Sequence, residues 1–483
     1  MAATATTTVH DSSSGLRLAM LNDDVLILIL YALPVRDILS MRKTCRRFAL
    51  LSRQHALWTH ACLSEVLTHN LPFPRHRALA SLSQDQLERL TVRAIHFQTI
   101  WDPVPKATRR AFTFEATRSY AVGQIQFIPG HDERYLAVVT HGIWSAINIW
   151  DIGPTSTGPA RRVVEWSPQG ATLSGLVVNS EPDCDGTLAV TLHPTGRPPR
   201  IEVLSLRPDP EGPPESMKMK LETIASMESA SNTALLEGEL IAFSKDDMLI
   251  ELRNYKTKYF ALLGSSSASR ANHLLYIVLS HHTNTVEVFR TYNIDEYTLP
   301  SLLPPTTSPP DPHLPFCDPW YMNWADALAV TPQMHTGNIG FLRRMTQDNP
   351  WSEATGTIEL QEFRPGALPR GTSPATTYEL PVPRGSLRCR TVCLGPCGTL
   401  AYVVPRPHDA QGLTALDVHA QDTALDVAPP ARERLVLARA GAGECAVWAN
   451  AEADDRWTAL DYDEASGRVA LGSGYGRLTV LLL

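Results

Sequence analysis

Three cysteines of this 483-residue chain, Cys389, Cys393 and Cys397, lie four residues apart and could in principle ligate a metal ion. Their spacing fits neither a CxxC zinc half-site nor a common cluster motif. Cys397 also lies in a Gly-Pro-Cys-Gly turn, a sequence that the backbone geometry of a turn explains by itself. We therefore expect these cysteines to be buried, reduced thiols and not metal ligands.

Three other groups could carry chemistry, but none has the spacing of a known catalytic site. His281 and His282 end a predicted strand without a third ligand nearby in sequence, which favours a hairpin loop over a metal site. Asp461 and Asp463 alternate before a turn, and nothing in the sequence favours an acid–base pair there. The glycine-rich stretch 472–476 lies in the last predicted hairpin, where tight turns need glycine. Because the phosphate-loop, GxSxG and HExxH motifs are absent from the sequence, we predict no enzyme activity and no cofactor.

Residues 21–33 predict a short helix that is apolar on every side. Asn22 suits the N-cap, Asp23 and Asp24 place negative charge in the first turn, and Pro34 stops the helix. Residues 25–33 carry no charge, so no face of the helix is suited to water. A unit of roughly 45 residues cannot bury such a surface alone, since even ~60-residue domains are marginal. We therefore expect a partner protein to cover it.

The following segment adds a turn, a second short helix and the start of a third. Four signatures occur in a fixed order: Leu-Pro, Asp-Ile-Leu, Cys-Arg-Arg-Phe and a tryptophan. They are carried, with the preceding helix, by Leu21, Val25, Ile29, Leu33, Pro34, Asp37, Ile38, Leu39, Cys45, Arg46, Arg47, Phe48 and Trp58. This segment resembles the F-box, which docks substrate receptors onto the Skp adaptor of cullin-RING ubiquitin ligases. It departs from the family in having Asn22 where a proline is usual.

The resemblance implies a docking site for a Skp-type adaptor. Its residues would be Leu21, Val25, Ile29, Leu33, Pro34, Ile38, Leu39, Cys45 and Trp58. The alternative is an ordinary three-helix bundle packed on the rest of the chain. Charge favours a partner, because residues 16–60 carry seven Lys or Arg and three Asp, a net +4, while the whole chain carries −7. A basic module on an acidic protein suits an acidic partner.

The basic residues of this segment could also indicate a nucleic-acid patch. They are Arg42, Lys43, Arg46 and Arg47. The helix that carries them must also direct Cys45 and Phe48 inward, so we interpret them as its solvated face and expect no nucleic-acid partner.

Composition predicts a folded, soluble protein of the cytoplasm or nucleus. Hydrophobic residues make up 43% of the chain and charged residues 19%. The longest uncharged apolar run has nine residues, whereas a membrane-spanning helix needs ~20. The N-terminus has no basic region followed by an apolar stretch, so we see no secretory signal and expect no membrane association.

The remainder of the chain predicts one linking helix and then many short strands. Ser83 to Gln86 form a capping box, followed by apolar residues at helical spacing at Leu87, Leu90, Ala94 and Phe97. From about Phe112 a unit recurs: a turn, an apolar strand, a few polar residues and an alternating strand. This pattern resembles WD-repeat β-propeller blades. We predict seven blades, with six as the alternative and a pair of β-sandwiches as the competing fold.

The sequence therefore predicts a multidomain α+β protein with an all-β propeller of about seven blades. Its parts are a flexible N-terminus (1–15), the F-box (16–62), linker helices (63–100) and a propeller-like domain (101–483) with a proline-rich insertion at 300–319. We expect the C-terminal strand at 478–483 to close the ring with a strand from just after residue 101, since closure removes free sheet edges.

This layout looks like the large families of F-box proteins in basidiomycete fungi. The resemblance implies an adaptor of a Skp–cullin–F-box ubiquitin ligase whose propeller recruits a protein substrate that the sequence does not name. Two alternatives stay open: a propeller scaffold bound to the Skp adaptor without ubiquitination, and a propeller enzyme.

Overall fold

The protein divides into two compact units. The computed structural model describes residues 18, 21–69, 71–74, 78–98, 110–117, 120–153, 160–209, 219–229, 231–246, 248–265, 272–281, 283–305, 310–322, 325, 327–332, 338–345, 356–365, 376–380, 389, 391–404, 433–439, 443–450 and 455–483. The first unit, which we call the helical unit, comprises Met1–Phe73 and Arg77–His96. The second comprises Pro74–His76 and Phe97–Leu483. The flexible N-terminus predicted at 1–15 lies outside the described residues.

The helical unit is built from short helices. They are α1 (Asp23–Tyr31), α2 (Val35–Arg42), α3 (Arg46–Leu51), α4 (His55–Ala61), a π-helical turn (Cys62–Leu67), a 3-10 turn (Leu79–Ser81) and α5 (Gln84–Gln98). Asn22 is the N-cap residue of α1, as predicted, although its side chain makes no capping hydrogen bond. None of the described helices is long and apolar enough to cross a membrane.

The predicted capping box at the start of α5 is confirmed. The Ser83 backbone N–H donates to Gln86 Oε1 at 3.0 Å, and the Gln86 N–H donates to Ser83 Oγ at 3.3 Å. The four apolar residues predicted to share one face of this helix, at 87, 90, 94 and 97, are all buried.

The second unit is a β-propeller of seven four-stranded antiparallel sheets, so the predicted fold and blade number are confirmed and the sandwich alternative is wrong. In chain order the strands are β1 (Arg110–Glu115), β2 (Ala121–Phe127), β3 (Tyr135–His141), β4 (Ser145–Asp151), β5 (Arg161–Trp166), β6 (Ala171–Val178), β7 (Leu188–Pro194), β8 (Arg200–Pro208), β9 (Met219–Glu228), β10 (Thr233–Glu237), β11 (Leu240–Ser244), β12 (Leu249–Asn254), β13 (Phe260–Gly264) and β14 (Leu274–Ser280). They continue with β15 (Thr285–Arg290), β16 (Asn293–Thr298), β17 (Trp320–Tyr321), β18 (Ala327–Pro332), β19 (Ile339–Met345), β20 (Gly356–Phe363), β21 (Thr376–Leu380), β22 (Val392–Leu394), β23 (Thr399–Val404), β24 (Arg434–Arg439), β25 (Gly443–Ala449), β26 (Trp457–Asp463), β27 (Arg468–Ser473) and β28 (Arg477–Leu482).

Each blade takes four strands, which follow one another in the chain except in the last blade. Blade 1 is β2 to β5, blade 2 is β6 to β9, and so on to blade 6, β22 to β25. The first strand of each blade is the innermost and contacts the first strand of the next blade. Apolar side chains fill the space between neighbouring sheets, as with Val122, Leu136, Leu478 and Val480 between blades 7 and 1.

Blade 7 closes the ring, as predicted. Its order is β1-β28-β27-β26, with register from Arg110 opposite Leu482 to Glu115 opposite Arg477. Two side chains of β26 bind the backbone of β2: Thr458 Oγ1 donates to the Val122 carbonyl at 2.6 Å, and Asp461 Oδ2 accepts from the Phe127 N–H at 2.6 Å. The ring is thus closed within blade 7, which joins strands from both ends of the propeller, and direct hydrogen bonds connect blade 7 to blade 1.

The antiparallel order gives the propeller two faces with different connections. We call the upper face the one that carries the turn between the second and third strands of every blade and the connection from each blade to the next. The lower face carries the remaining turns, because successive strands alternate in direction.

The proline-rich segment at 300–319 runs along the outside of blade 3. Leu303 and Phe260 of β13 exchange two backbone hydrogen bonds of 2.9 and 3.0 Å, and the His313 N–H donates to the Leu262 carbonyl at 2.8 Å. Residues 306–309 lie outside the described part of the chain. The outer edge of β13 is therefore covered by this segment and not open to another strand.

Candidate functional site

The apolar helix α1 has one buried side and one exposed side. Leu26 and Leu30 are buried in the helical unit. Val25 is exposed, and Leu28 keeps 64% of its surface accessible. Ile29 is half-buried and lies one turn after Val25, so the three side chains form one continuous strip. The sequence predicts that no face of this helix is suited to water. In the structure the exposed side of the helix is indeed apolar, and the described residues leave it uncovered.

The structure separates the predicted docking residues into two groups. Leu21, Leu33 and Leu39 are half-buried, like Ile29, while Val25, Pro34 and Cys45 are exposed. Ile38 and Trp58 are fully buried inside the helical unit. A docked protein would therefore reach the seven half-buried or exposed side chains. Ile38 and Trp58 would act indirectly, by holding in place the helices that carry those side chains.

The predicted inward orientation of Cys45 is wrong. Cys45 precedes α3 as its N-cap residue with extended backbone angles, and its side chain is exposed. Phe48, predicted to point the same way, is buried. The helix begins only at residue 46, so the helical spacing that linked these two positions in the sequence does not apply.

A network around Trp58 fixes the helices below the strip. The indole Nε1–H donates to the Ser52 carbonyl at 2.8 Å. The Arg42 guanidinium donates to the same carbonyl at 3.0 Å and lies 5.6 Å from the Trp58 ring centre. It also forms an ion pair with Glu88 of α5 at 2.5 Å. Arg42 therefore ties α2 to α5 and is not part of a solvated face.

The remaining basic residues of this segment also differ in their roles. Arg47 pairs with Asp23 at 2.5 Å and donates to the Leu21 carbonyl at 2.6 Å, which holds the start of α1. Lys43 and Arg46 are exposed. The sequence did not reveal the Arg42 network, because Glu88 lies 46 residues further along the chain and no local pattern links the two.

The cysteines singled out by their spacing lie in the propeller as free thiols. Cys389 and Cys397 are buried and Cys393 is half-buried. Burial raises the pKa of Cys389 to about 11, so this thiol is protonated at neutral pH. Within the described part of the chain, no group of three or more His, Cys, Asp or Glu side chains is placed to hold a metal ion.

The paired histidines and aspartates have separate partners. His281 Nε2 lies 3.1 Å from Glu237 Oε1, and His282 lies outside the described residues. Burial raises the pKa of Asp461 to about 7, while its carboxylate accepts the Phe127 N–H across the seam. Asp463 instead accepts from the Ser466 N–H at 3.1 Å and lies 3.6 Å from the Arg468 guanidinium. These contacts are those of structural carboxylates.

Comparison with known proteins gives a family match within the helical unit. A family model described as F-box-like matches residues 23–64. No curated protein sequence matches the chain. Among solved structures, Raptor from Chaetomium thermophilum aligns with 95% of this chain at 10% identity and a TM-score of 0.47, and 41% of the Raptor chain is covered. The β-propeller domain of Cps50 (Swd1) from Myceliophteria thermophila aligns over 77% of this chain and 100% of its own, at 9% identity and a TM-score of 0.42.

The chain thus contains an F-box-like domain followed by a seven-bladed β-propeller. This is the architecture of an F-box adaptor-type protein, and it fits a non-catalytic role.

Proposed function

We propose that the protein is the substrate-recognition adaptor of a Skp–cullin–F-box ubiquitin ligase. The observation that carries the proposal is the exposed apolar strip of α1, formed by Val25, Leu28 and Ile29, within the segment that matches the F-box-like model. F-box domains generally bind the Skp adaptor. A continuous exposed apolar strip is the kind of surface that a partner protein covers.

The net charge of +4 over residues 16–60 supports an acidic partner. Lys43 and Arg46 are exposed at the end of α2 and the start of α3, next to Cys45. Arg42 and Arg47 are engaged within the unit by Glu88 and Asp23. The exposed cations at this end of the unit would steer an acidic adaptor toward it and set its orientation more than its affinity.

The proposed adaptor would supply proximity and not chemistry. Ubiquitin transfer belongs to the partner enzymes, and the propeller would hold a substrate protein on the same chain as the docked adaptor. Linking two binding modules in this way raises the effective concentration of one partner near the other, to the millimolar range for short flexible linkers. We propose that the protein acts in the reducing cytoplasm or nucleus, with which the free cysteines in the described residues are compatible.

The sharpest test places a charge on the exposed strip. Leu28→Lys should abolish copurification of the Skp adaptor, because docking would bury an unpaired ammonium group. The exposed position predicts no loss of folding. Leu314→Lys is the matched control, since Leu314 is an exposed leucine of the propeller. Undiminished copurification with Leu28→Lys would refute the docking assignment.

The same purification distinguishes a ligase adaptor from a scaffold. Wild-type protein should retain both the Skp adaptor and a cullin. Retention of the Skp adaptor without any cullin would favour the scaffold that does not take part in ubiquitination.

A further inference from the structure

Four large side chains are exposed together on the upper face, where blades 7 and 1 meet. They are Tyr120 (46% exposed), Ile143 (80%), Trp144 (47%) and Tyr475 (60%). Tyr120 precedes β2, Ile143 and Trp144 lie in the turn between β3 and β4, and Tyr475 lies in the turn between β27 and β28. We call these four residues the seam patch.

Close backbone approaches hold the seam patch together. The Tyr120 ring covers Gly142 so closely that a Cβ at that glycine would lie 2.6 Å from the ring. The turn at Gly476 lies against residues 117 and 120, because a Cβ there would lie 2.5 Å from the Thr117 carbonyl oxygen and 2.8 Å from the Tyr120 carbonyl oxygen. The three segments therefore touch, and the patch is one surface and not four scattered side chains.

The backbone of these turns does not require the side chains found there. Gly476 has φ +83°, a conformation that favours glycine, which explains the glycine but not the tyrosine before it. The turn between β3 and β4 carries Gly142, as such turns usually do, but it also exposes two large apolar side chains, Ile143 and Trp144, at its tip. Exposed aromatic side chains on rigid turns are typical of the residues that dominate protein–protein binding.

The charge beside the patch indicates what it would bind. Arg456 is exposed, and its carbonyl accepts the Gly474 N–H at 2.9 Å, which places it beside the turn of Tyr475. The neighbouring Asp455 is buried and accepts the Tyr475 N–H at 3.2 Å, so its carboxylate supports the turn from within. An exposed arginine therefore lies next to the exposed aromatic and aliphatic side chains. The nearby charges of Glu115 and Arg477, which lie opposite each other on β1 and β28, offset one another.

We propose that the seam patch binds a linear segment of the substrate protein that carries a large aliphatic or prolyl side chain next to a carboxylate. The aromatic rings would take the apolar side chain and Arg456 the carboxylate, with the charge-assisted hydrogen bond that guanidinium and carboxylate groups form. This inference rests on the proposed adaptor function, because it identifies the surface through which the propeller recruits its substrate.

The test uses the full-length protein and a display library of random dodecapeptides as the probe. Peptides selected on the wild-type protein should combine aliphatic or prolyl residues with Asp or Glu. Their affinity, measured by fluorescence polarisation, should fall about tenfold or more with Trp144→Ala and with Tyr475→Ala. Arg456→Glu should shift selection to peptides with Lys or Arg. Tyr292→Ala is the matched control, since Tyr292 is an exposed tyrosine on the upper face of blade 4 and should leave binding unchanged.

Several outcomes would overturn the inference. The library could yield no peptide that binds saturably. Wild type and both alanine variants could bind the selected peptides with equal affinity. Arg456→Glu could select peptides of the same charge as wild type does. Thermal melting checks that every variant is folded. The proposed function fails separately: Leu28→Lys should leave peptide binding intact, and Trp144→Ala should leave the Skp adaptor bound. If Leu28→Lys keeps the Skp adaptor, the proposed function is wrong and the seam patch still stands. If Trp144→Ala and Tyr475→Ala keep full peptide affinity, the seam patch is wrong and the proposed function still stands.

Discussion

Replacing Glu287 with glutamine should make the propeller more stable above neutral pH. Glu287 lies on β15, fully buried, directly opposite the buried Glu296 of β16. Its Oε1 accepts a hydrogen bond from Thr285, while its Oε2 has no hydrogen-bond partner among the described residues. Burial, with a smaller contribution from the Glu296 charge, raises the pKa of Glu287 to about 7. The folded propeller therefore favours the neutral carboxyl group, for which glutamine is a close substitute in shape.

The direction and size of the effect follow from the raised pKa. A carboxyl group whose folded pKa is raised contributes stability below its unfolded pKa, and this is lost as the pH rises through the folded pKa. From an ordinary value of 4.5 to about 7, the loss amounts to about 3 kcal/mol at pH 8. Glutamine does not ionise, so Glu287→Gln should gain about 3 kcal/mol over wild type at pH 8 but under about 1 kcal/mol at pH 5.

Chemical denaturation at pH 5 and pH 8 measures this difference. Glu222→Gln, at an exposed position of β9, controls for the removal of one negative charge. A gain with Glu287→Gln that is the same at both pH values would refute the reasoning, since a neutral carboxyl group and an amide would then differ for reasons other than ionisation.

Three further predictions concern a buried ion pair, the closure of the ring and the Arg42 network. Asp295→Ala should cost the propeller about 3–5 kcal/mol in denaturation experiments, because the Arg290 guanidinium would stay buried without its carboxylate. Truncation after Gly474 removes β28 and opens the edges of β1 and β27, so we expect aggregation on size-exclusion chromatography. A soluble truncated monomer with an unchanged melting temperature would contradict ring closure. Arg42→Ala should cost the helical unit about 1–3 kcal/mol and speed amide hydrogen exchange in α5, whereas the exposed neighbour in Lys43→Ala should do neither.

The sequence was most informative where local physics decides the structure. The capping box of α5 was visible because a serine and a glutamine three residues apart satisfy each other's backbone groups. The strands of the propeller were visible because alternating apolar residues mark buried sheets. Closure by β1 and β28 was also predictable, since an open ring would leave two edges unpaired.

The sequence was least informative where distant segments decide the environment of a side chain. An apolar helix does not reveal which side is buried, so the separation of Leu26 and Leu30 from Val25 and Leu28 required the packed helices. The exposure of Cys45 depends on the residue at which α3 begins, and helix boundaries are the least reliable part of such predictions. The seam patch was missed because its members come from both ends of the propeller.

Ring closure by β1 also determines when the propeller can be completed during synthesis. Strand β1 leaves the ribosome early, but its partner β28 follows roughly 360 residues later, about 20 to 70 s at typical elongation rates. During that interval β1 has no native neighbour in its blade, whereas every described helix of the preceding unit has already been synthesised. The described helices are therefore complete while the propeller is still unfinished, and β1 can pair with a wrong strand during that interval.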